Sequence, residues 1–242
     1  MTHPMTILIT GANKGLGFET ARQLLGLGHT VLVGARDPAR GAHAVARLRE
    51  RAPAAHHVAL DVTDPASITA AAAHVTERFG RLDALVNNAG LGNASAAPSA
   101  QPLVAMRALF DTNVFGAIAV TQAFLPLLAR APAARIVNVS SSLGSLQLAA
   151  DPTSRIAAWN SLFGYAASKT ALNAFTVRLA HELRATAIAV NAACPGYVAT
   201  DLNAHQGLRT VAQGAAIIVR LATLPAGGPT GRFVDDAGAV PW

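Results

Sequence analysis

Short apolar runs that alternate with Ala/Leu-rich stretches constrain this chain more than any other feature. Runs of aliphatic and β-branched residues lie at Met5–Thr10, Thr30–Ala35, His56–Asp61, Leu82–Asn87, Arg135–Ser141 and Ala187–Ala193, with a shorter one near Arg232–Val234. Each is mostly continuous, the pattern of a strand covered on both faces. Helical patterning covers residues near 16–28, 39–51, 65–79, 100–130, 164–185 and 207–223. Pro38 and Pro65 suit helix starts, where a missing N–H is no loss. Strand–helix–strand alternation implies right-handed crossovers and a parallel sheet. The expectation is an α/β fold: one domain over 1–242, a doubly wound parallel sheet of about seven strands with helices on both faces.

Composition narrows the function classes. The 242 residues carry 19 Lys+Arg against 13 Asp+Glu, a net charge of +6, and a single cysteine, Cys194. One cysteine allows no intramolecular disulfide, which fits a reducing, cytoplasmic setting. The basic residues are scattered rather than gathered in a stripe, so no nucleic-acid partner is expected. The uncharged run after Thr112 holds Thr121, Gln122 and Pro126, which favours a buried helix over a membrane span. No metal site is read. Seventeen of the basic residues are Arg, and only Lys14 and Lys169 are Lys; tyrosine is equally scarce, at Tyr165 and Tyr197.

Thr10-Gly11-Ala12-Asn13-Lys14-Gly15-Leu16-Gly17 joins the first strand to the first helix. Glycines there permit positive φ and close backbone approach. A helix N-terminus offers N–H groups to a pyrophosphate. A Rossmann-type dinucleotide site is expected at this turn.

The spacing Gly-x-x-x-Gly-x-Gly resembles the short-chain dehydrogenase/reductase family. Further motifs follow in that family's order: Asn87-Asn88-Ala89-Gly90, the helix residue Asn113, Tyr165-x-x-x-Lys169, and Pro195-Gly196 with Thr200 beyond. Within the family the chain looks most like NADPH-dependent carbonyl reductases. The stretches that carry this are GANKGLG, ARD at 35–37, VNNAG, VNVSS, CPG and the terminal GRFVDDAGAVPW.

The cofactor follows from charge. NAD recognition uses an acidic residue at the end of the second strand, whereas the 2′-phosphate of NADP needs a cation. Ala35 stands at that position, Arg36 follows, and Lys14 sits in the turn. NADP(H) is therefore expected. The resemblance implies further cofactor contacts from Gly11, Asn13, Gly15, Leu16, Gly17, Asp61, Val62, Asn88, Ala89, Gly90, Tyr165, Lys169, Pro195, Gly196, Val198 and Thr200. Asn87 would support strand geometry and the ribose. Asp61 reads equally as a turn residue before Pro65.

Tyr165 and Lys169 are four apart and share a helix face. An ammonium beside a phenol lowers its pKa and suits it to proton transfer. The resemblance implies a cycle in which hydride reaches a carbonyl carbon, Ser141 polarises the oxygen and Tyr165 protonates it. Lys169 re-supplies the proton with a water held by Asn113, whose role in the family is also to kink its helix. Alternation puts Ser140 and Ser142 on one face and Ser141 on the other, so Ser140 stays open as the carbonyl-binding serine.

Ser141 and Tyr165 are 24 positions apart, a longer gap than the commoner family arrangement. Related carbonyl reductases carry an insertion here that covers a dimer-forming face. Both a monomer and a homo-oligomer remain open. Loops near 91–102 and 142–163 would shape the pocket for a small-molecule carbonyl substrate. Trp159, Phe163 and Tyr197 read as substrate contacts or as packing residues. Cys194 reads as pocket lining or as a small buried residue. The leading expectation is NADPH-dependent reduction of a ketone or aldehyde. The alternatives are an oxidative NAD(P)-dependent alcohol dehydrogenase and a non-catalytic NADP-binding regulator.

Overall fold

The first strand, β1 (Thr6–Thr10), lies third in a seven-stranded parallel sheet. In this computed structural model, which describes residues 3–92 and 96–242, the other strands are β2 (Thr30–Ala35), β3 (Ala55–Ala59), β4 (Ala84–Asn87), β5 (Ala134–Val139), β6 (Ile188–Ala193) and β7 (Phe233–Val234). Their spatial order is β3-β2-β1-β4-β5-β6-β7. The chain runs outward from β1 to β3, then crosses back to β4. That reversal opens a crevice beyond the carboxyl ends of β1 and β4, where such sheets bind ligands.

Alternate side chains of each strand face opposite helical layers. Leu8, Leu32, Leu85 and Ile136 pack with α3 (Pro65–Phe79), α5 (Ala117–Leu128) and α7 (Phe163–Glu182). Ile7, Ile9, Val31, Val33 and Val86 face α1 (Gly15–Gly26), α2 (Pro38–Arg49) and α8 (Val211–Ala222). The strands read as continuous apolar runs because both faces are covered.

Local chemistry sets the helix ends. Asp37 and Asp64 cap α2 and α3 through their side chains, each ahead of a proline at the first helical position. Gly80 ends α3 in the left-handed conformation.

Three expectations need correction. The helix over 100–130 is interrupted: a 3₁₀ turn at Pro98–Ala100 precedes α4 (Leu103–Phe110), and a π-helical turn at Asp111–Gly116 separates α4 from α5. Gly116 packs so tightly there that a methyl group on it would lie 2.8 Å from Val62 O. The fifth strand ends at Val139, not at Ser141, so its alternation does not reach the serines. The 142–163 segment is not structureless, because it contains the short helix α6 (Leu146–Ala150). The run Leu103–Leu128 has a mean hydropathy of 1.5. Its second half buries Val120, Phe124, Leu127 and Leu128 against the sheet. Part of the 91–102 loop, residues 93–95, lies outside the described residues.

Candidate active site

Thr10, the last residue of β1, organises the glycine turn. Its hydroxyl accepts from Asn88 N at 3.0 Å and Ala89 N at 2.9 Å. Asn88 Nδ2 donates to Thr10 O at 2.8 Å and Gly11 O at 3.2 Å. The sequence reading placed Asn88 and Ala89 on the cofactor. In the structure the Asn88 amide and the Ala89 N–H are engaged on the turn itself, holding β4 to β1. Gly11 and Gly15 adopt φ of +64° and +56°, where only glycine is unstrained. The turn then feeds α1, whose N-cap is Lys14, a side chain with no acceptor. The N–H groups at Gly15, Leu16 and Gly17 therefore keep their donor capacity toward the crevice. Asn13 lines a cavity of about 460 Å³ with Lys14, Ala39, Arg40 and His43, beside the start of α2.

Arg36 is exposed just past β2, as the charge argument requires. The neighbouring Asp37 carboxylate does not compete there, because it accepts from Ala39 N at 2.9 Å and Arg40 N at 3.0 Å as the cap of α2. Asp61 folds onto its own turn, accepting from Thr63 N at 2.9 Å and Thr63 Oγ1 at 2.7 Å. Those bonds hold its carboxyl below the usual range, and the Arg36 charge adds to them. Val62 is buried beside it. Lys14 departs from expectation: its ammonium crosses to Asp201 at 2.6 Å, and His205 meets the same carboxylate at 2.9 Å. Both partners are exposed, so the pair is weak and exchangeable.

Beyond β6, Cys194 and Pro195 are buried, and Gly196 takes φ +77° with Arg209 packed on it. Val198 is buried, and Thr200 caps a 3₁₀ turn at Asp201–Asn203. Tyr197 meets Trp159 of the insertion edge to face, with centroids 5.3 Å apart. Phe163 is half-buried at the first position of α7.

The serines differ in their surroundings. Ser140 is buried and donates to Asn173 Oδ1 at 2.6 Å. Ser141 is half-exposed and accepts from Leu143 N at 3.2 Å, and its hydroxyl acts to lower the Tyr165 pKa. Lys169, at 5% exposure, donates to Val139 O at 2.8 Å, and its Nζ lies 5.5 Å from the centroid of the Tyr165 ring. The sequence reading had the ammonium draw the phenol pKa down. Here burial pushes Tyr165 up to about 12, the Cys194 thiol adds to the rise, and Ser141 opposes it. Burial brings Lys169 down to about 8. The physical reason is common to both: each charged form loses its water, and no opposite charge replaces it.

Asn113, in the π-helical turn, also differs from a simple relay. Its Oδ1 accepts from Leu91 N at 2.8 Å, and Nδ2 donates to Leu91 O at 3.0 Å and Ser168 Oγ at 3.0 Å. Ser168 Oγ in turn donates to Tyr165 O at 2.7 Å. Asn113 thus ties the loop after β4 to the helix that carries Tyr165. Sequence reasoning overlooked Ser168, Asn173 and Asp201. Their partners lie 55, 33 and 187 residues away, so no local pattern flags them.

The comparisons agree with this geometry. The family model described as short chain dehydrogenase matches residues 5–209. The short-chain dehydrogenase anuI of Penicillium roqueforti is 42% identical over 98% of this chain and 95% of its own length. Carbonyl reductase [NADPH] 1 of Rattus norvegicus is 33% identical over 97% of each chain. Among solved structures, NADPH-bound carbonyl reductase from chicken fatty liver superposes with a TM-score of 0.87 at 32% identity, covering 100% of both chains.

Proposed function

The chain belongs to the short-chain dehydrogenase family, and from that premise we propose that it is an NADPH-dependent reductase of a ketone or aldehyde. The observation that carries the reading is geometric: Tyr165 and Lys169 share one face of α7, with the Lys169 ammonium 5.5 Å from the Tyr165 ring and bonded to Val139 O at the end of β5, two residues before Ser141. A neutral phenol is the form that can donate a proton to a developing alkoxide.

The cradle fits a dinucleotide. Two positive-φ glycines bring backbone close to a diphosphate, and the N-terminus of α1 presents N–H donors to it. Arg36 would take the 2′-phosphate as a fork of donors, and Lys14 can join by leaving its exposed pair with Asp201. Ala35 leaves no carboxylate to repel that phosphate. When bound, the dihydronicotinamide supplies the hydride. Ser141 then orients the carbonyl oxygen, and Tyr165 delivers the proton. Lys169, whose ammonium bonds Val139 O and lies beside the Tyr165 ring, would re-supply the proton to Tyr165. Asn113 fixes the loop at Leu91 and the register of the Tyr165 helix.

Trp159 and Tyr197 would line the substrate entrance, with Phe163 near the start of α7. The rat relative named as an NADPH carbonyl reductase supports a small-molecule carbonyl as substrate. The test is NADPH oxidation followed optically with a panel of ketones and aldehydes, repeated with NADH. Turnover with NADPH well above that with NADH is expected. NADH preference, or no turnover across a broad panel, overturns the reading.

A further inference from the structure

Ser140 and Asn173 stand outside the reacting set, yet both are buried, at 2% and 4% exposure. Their bonds converge on one small turn. Ser140 Oγ donates to Asn173 Oδ1 at 2.6 Å, and Asn173 Nδ2 donates to Gly144 O at 3.2 Å. Thr170 Oγ1 donates to the same carbonyl at 3.0 Å. On the other side, Ser142 N donates to Cys194 Sγ at 3.3 Å. Gly144 lies directly on the α7 backbone: a methyl group there would stand 2.7 Å from Lys169 C and 2.9 Å from Thr170 N. Ser141 therefore sits in a turn held just before it, at Ser140, and three residues after it, at Gly144. A single side chain makes both attachments.

That side chain belongs to the helix carrying the proton donor. Asn173 follows Lys169 by four residues and Tyr165 by eight, so all three share a face of α7. We propose that Asn173 is a positioning residue for the reductase reaction: by binding Ser140 and Gly144 together, it fixes Ser141 Oγ against the Tyr165 hydroxyl. The proposal rests on the reductase reading of the site. Asn173 touches neither substrate nor cofactor in this role. It sets the separation between the strand end that supplies Ser141 and the helix that supplies Tyr165. Errors of about 1 Å in such a separation can cost about 100-fold in rate. Ser140 becomes the anchor of the turn, which leaves Ser141 as the serine that faces the carbonyl.

The test compares Asn173→Ala, Ser140→Ala and the double variant in steady-state kinetics, with NADPH affinity by fluorescence and melting temperature alongside. Each single variant should lose kcat by about 10- to 100-fold, with NADPH affinity within about twofold. The double variant should be no slower than the worse single one, because both changes break one bracket. Thr176→Val serves as the control for mere destabilisation. Thr176 is also buried on α7, but it bonds Asn138 and the Leu172 carbonyl, so its loss should lower the melting temperature and spare kcat. If Asn173→Ala fails to fold, Ser140→Ala decides alone. Wild-type kcat in Ser140→Ala, or multiplicative losses in the double variant, overturns the positioning role. A wild-type protein that reduces no carbonyl with NADPH overturns the reductase reading, and this proposal with it.

Discussion

Replacing Gly17 by alanine tests the phosphate turn with little change in composition. The added methyl group would stand 2.5 Å from Asn88 Nδ2, 2.9 Å from Gly11 O and 3.0 Å from Ala12 Cα. Two of these are main-chain atoms that cannot rotate away. The third belongs to the amide that bonds Thr10 O and Gly11 O. Losing those two bonds costs about 1 kcal/mol each. Overpacking adds about 1–3 kcal/mol. The better helix propensity of alanine returns about 1 kcal/mol. The net loss is then about 3 kcal/mol, and for a chain this long each kcal/mol moves Tm by about 2–4 °C. Calorimetry should show Tm lower by about 6–12 °C on that conversion. Fluorescence titration should show weaker NADPH binding, because the moved atoms shape the cradle. An unchanged Tm together with unchanged NADPH affinity would refute the reasoning.

Two further predictions concern charge. Arg36→Asp should raise KM for NADPH far more than for NADH, since a carboxylate repels the 2′-phosphate; an unchanged ratio in steady-state kinetics counts against Arg36. Lys169 should titrate near 8 in the cofactor-free protein. Nitrogen-15 lysine labelling resolves this cleanly, because the chain has only two lysines. The sign of the linked stability effect follows. The folded pKa, about 8, lies below the ordinary 10.5. Between those values the unfolded chain binds more protons, so this residue's contribution makes stability rise with pH across that window. A Lys169 signal that stays fully charged above pH 10 contradicts the burial argument.

Much of the architecture was legible because it depends on local pattern. Continuous apolar runs marked the strands, and Pro38 and Pro65 marked the starts of two helices. The glycine turn marked the crevice. The resemblance implied a kink at Asn113, but the π-helical form and extent of the turn at Asp111–Gly116 were not legible, because it widens one turn without changing the apolar stripe on either side. The end of β5 was missed for a related reason. Ser140 still donates to Ala193 O at 2.8 Å, so the strand pattern fades by one residue rather than stopping at a breaker.

That Tyr165 and Lys169 share a face of α7 was readable from their spacing, but their electrostatics were not. The direction of the Tyr165 shift depends on what is packed around the phenol, including Cys194, which lies 29 positions further along the sequence. The partner of Lys14 was hidden similarly, since Asp201 lies 187 residues further along the sequence. Asn88 was read as a cofactor contact, yet it secures the turn. A motif names the residues at a site without saying which of them support the others.

Tyr165→Phe tests the central claim most directly, since it removes one hydroxyl and keeps the ring. Reductase kcat should fall by about 10²- to 10⁴-fold, the usual contribution of a positioned general acid, while NADPH still binds with wild-type affinity. Turnover that survives the substitution would contradict Tyr165 as the proton donor.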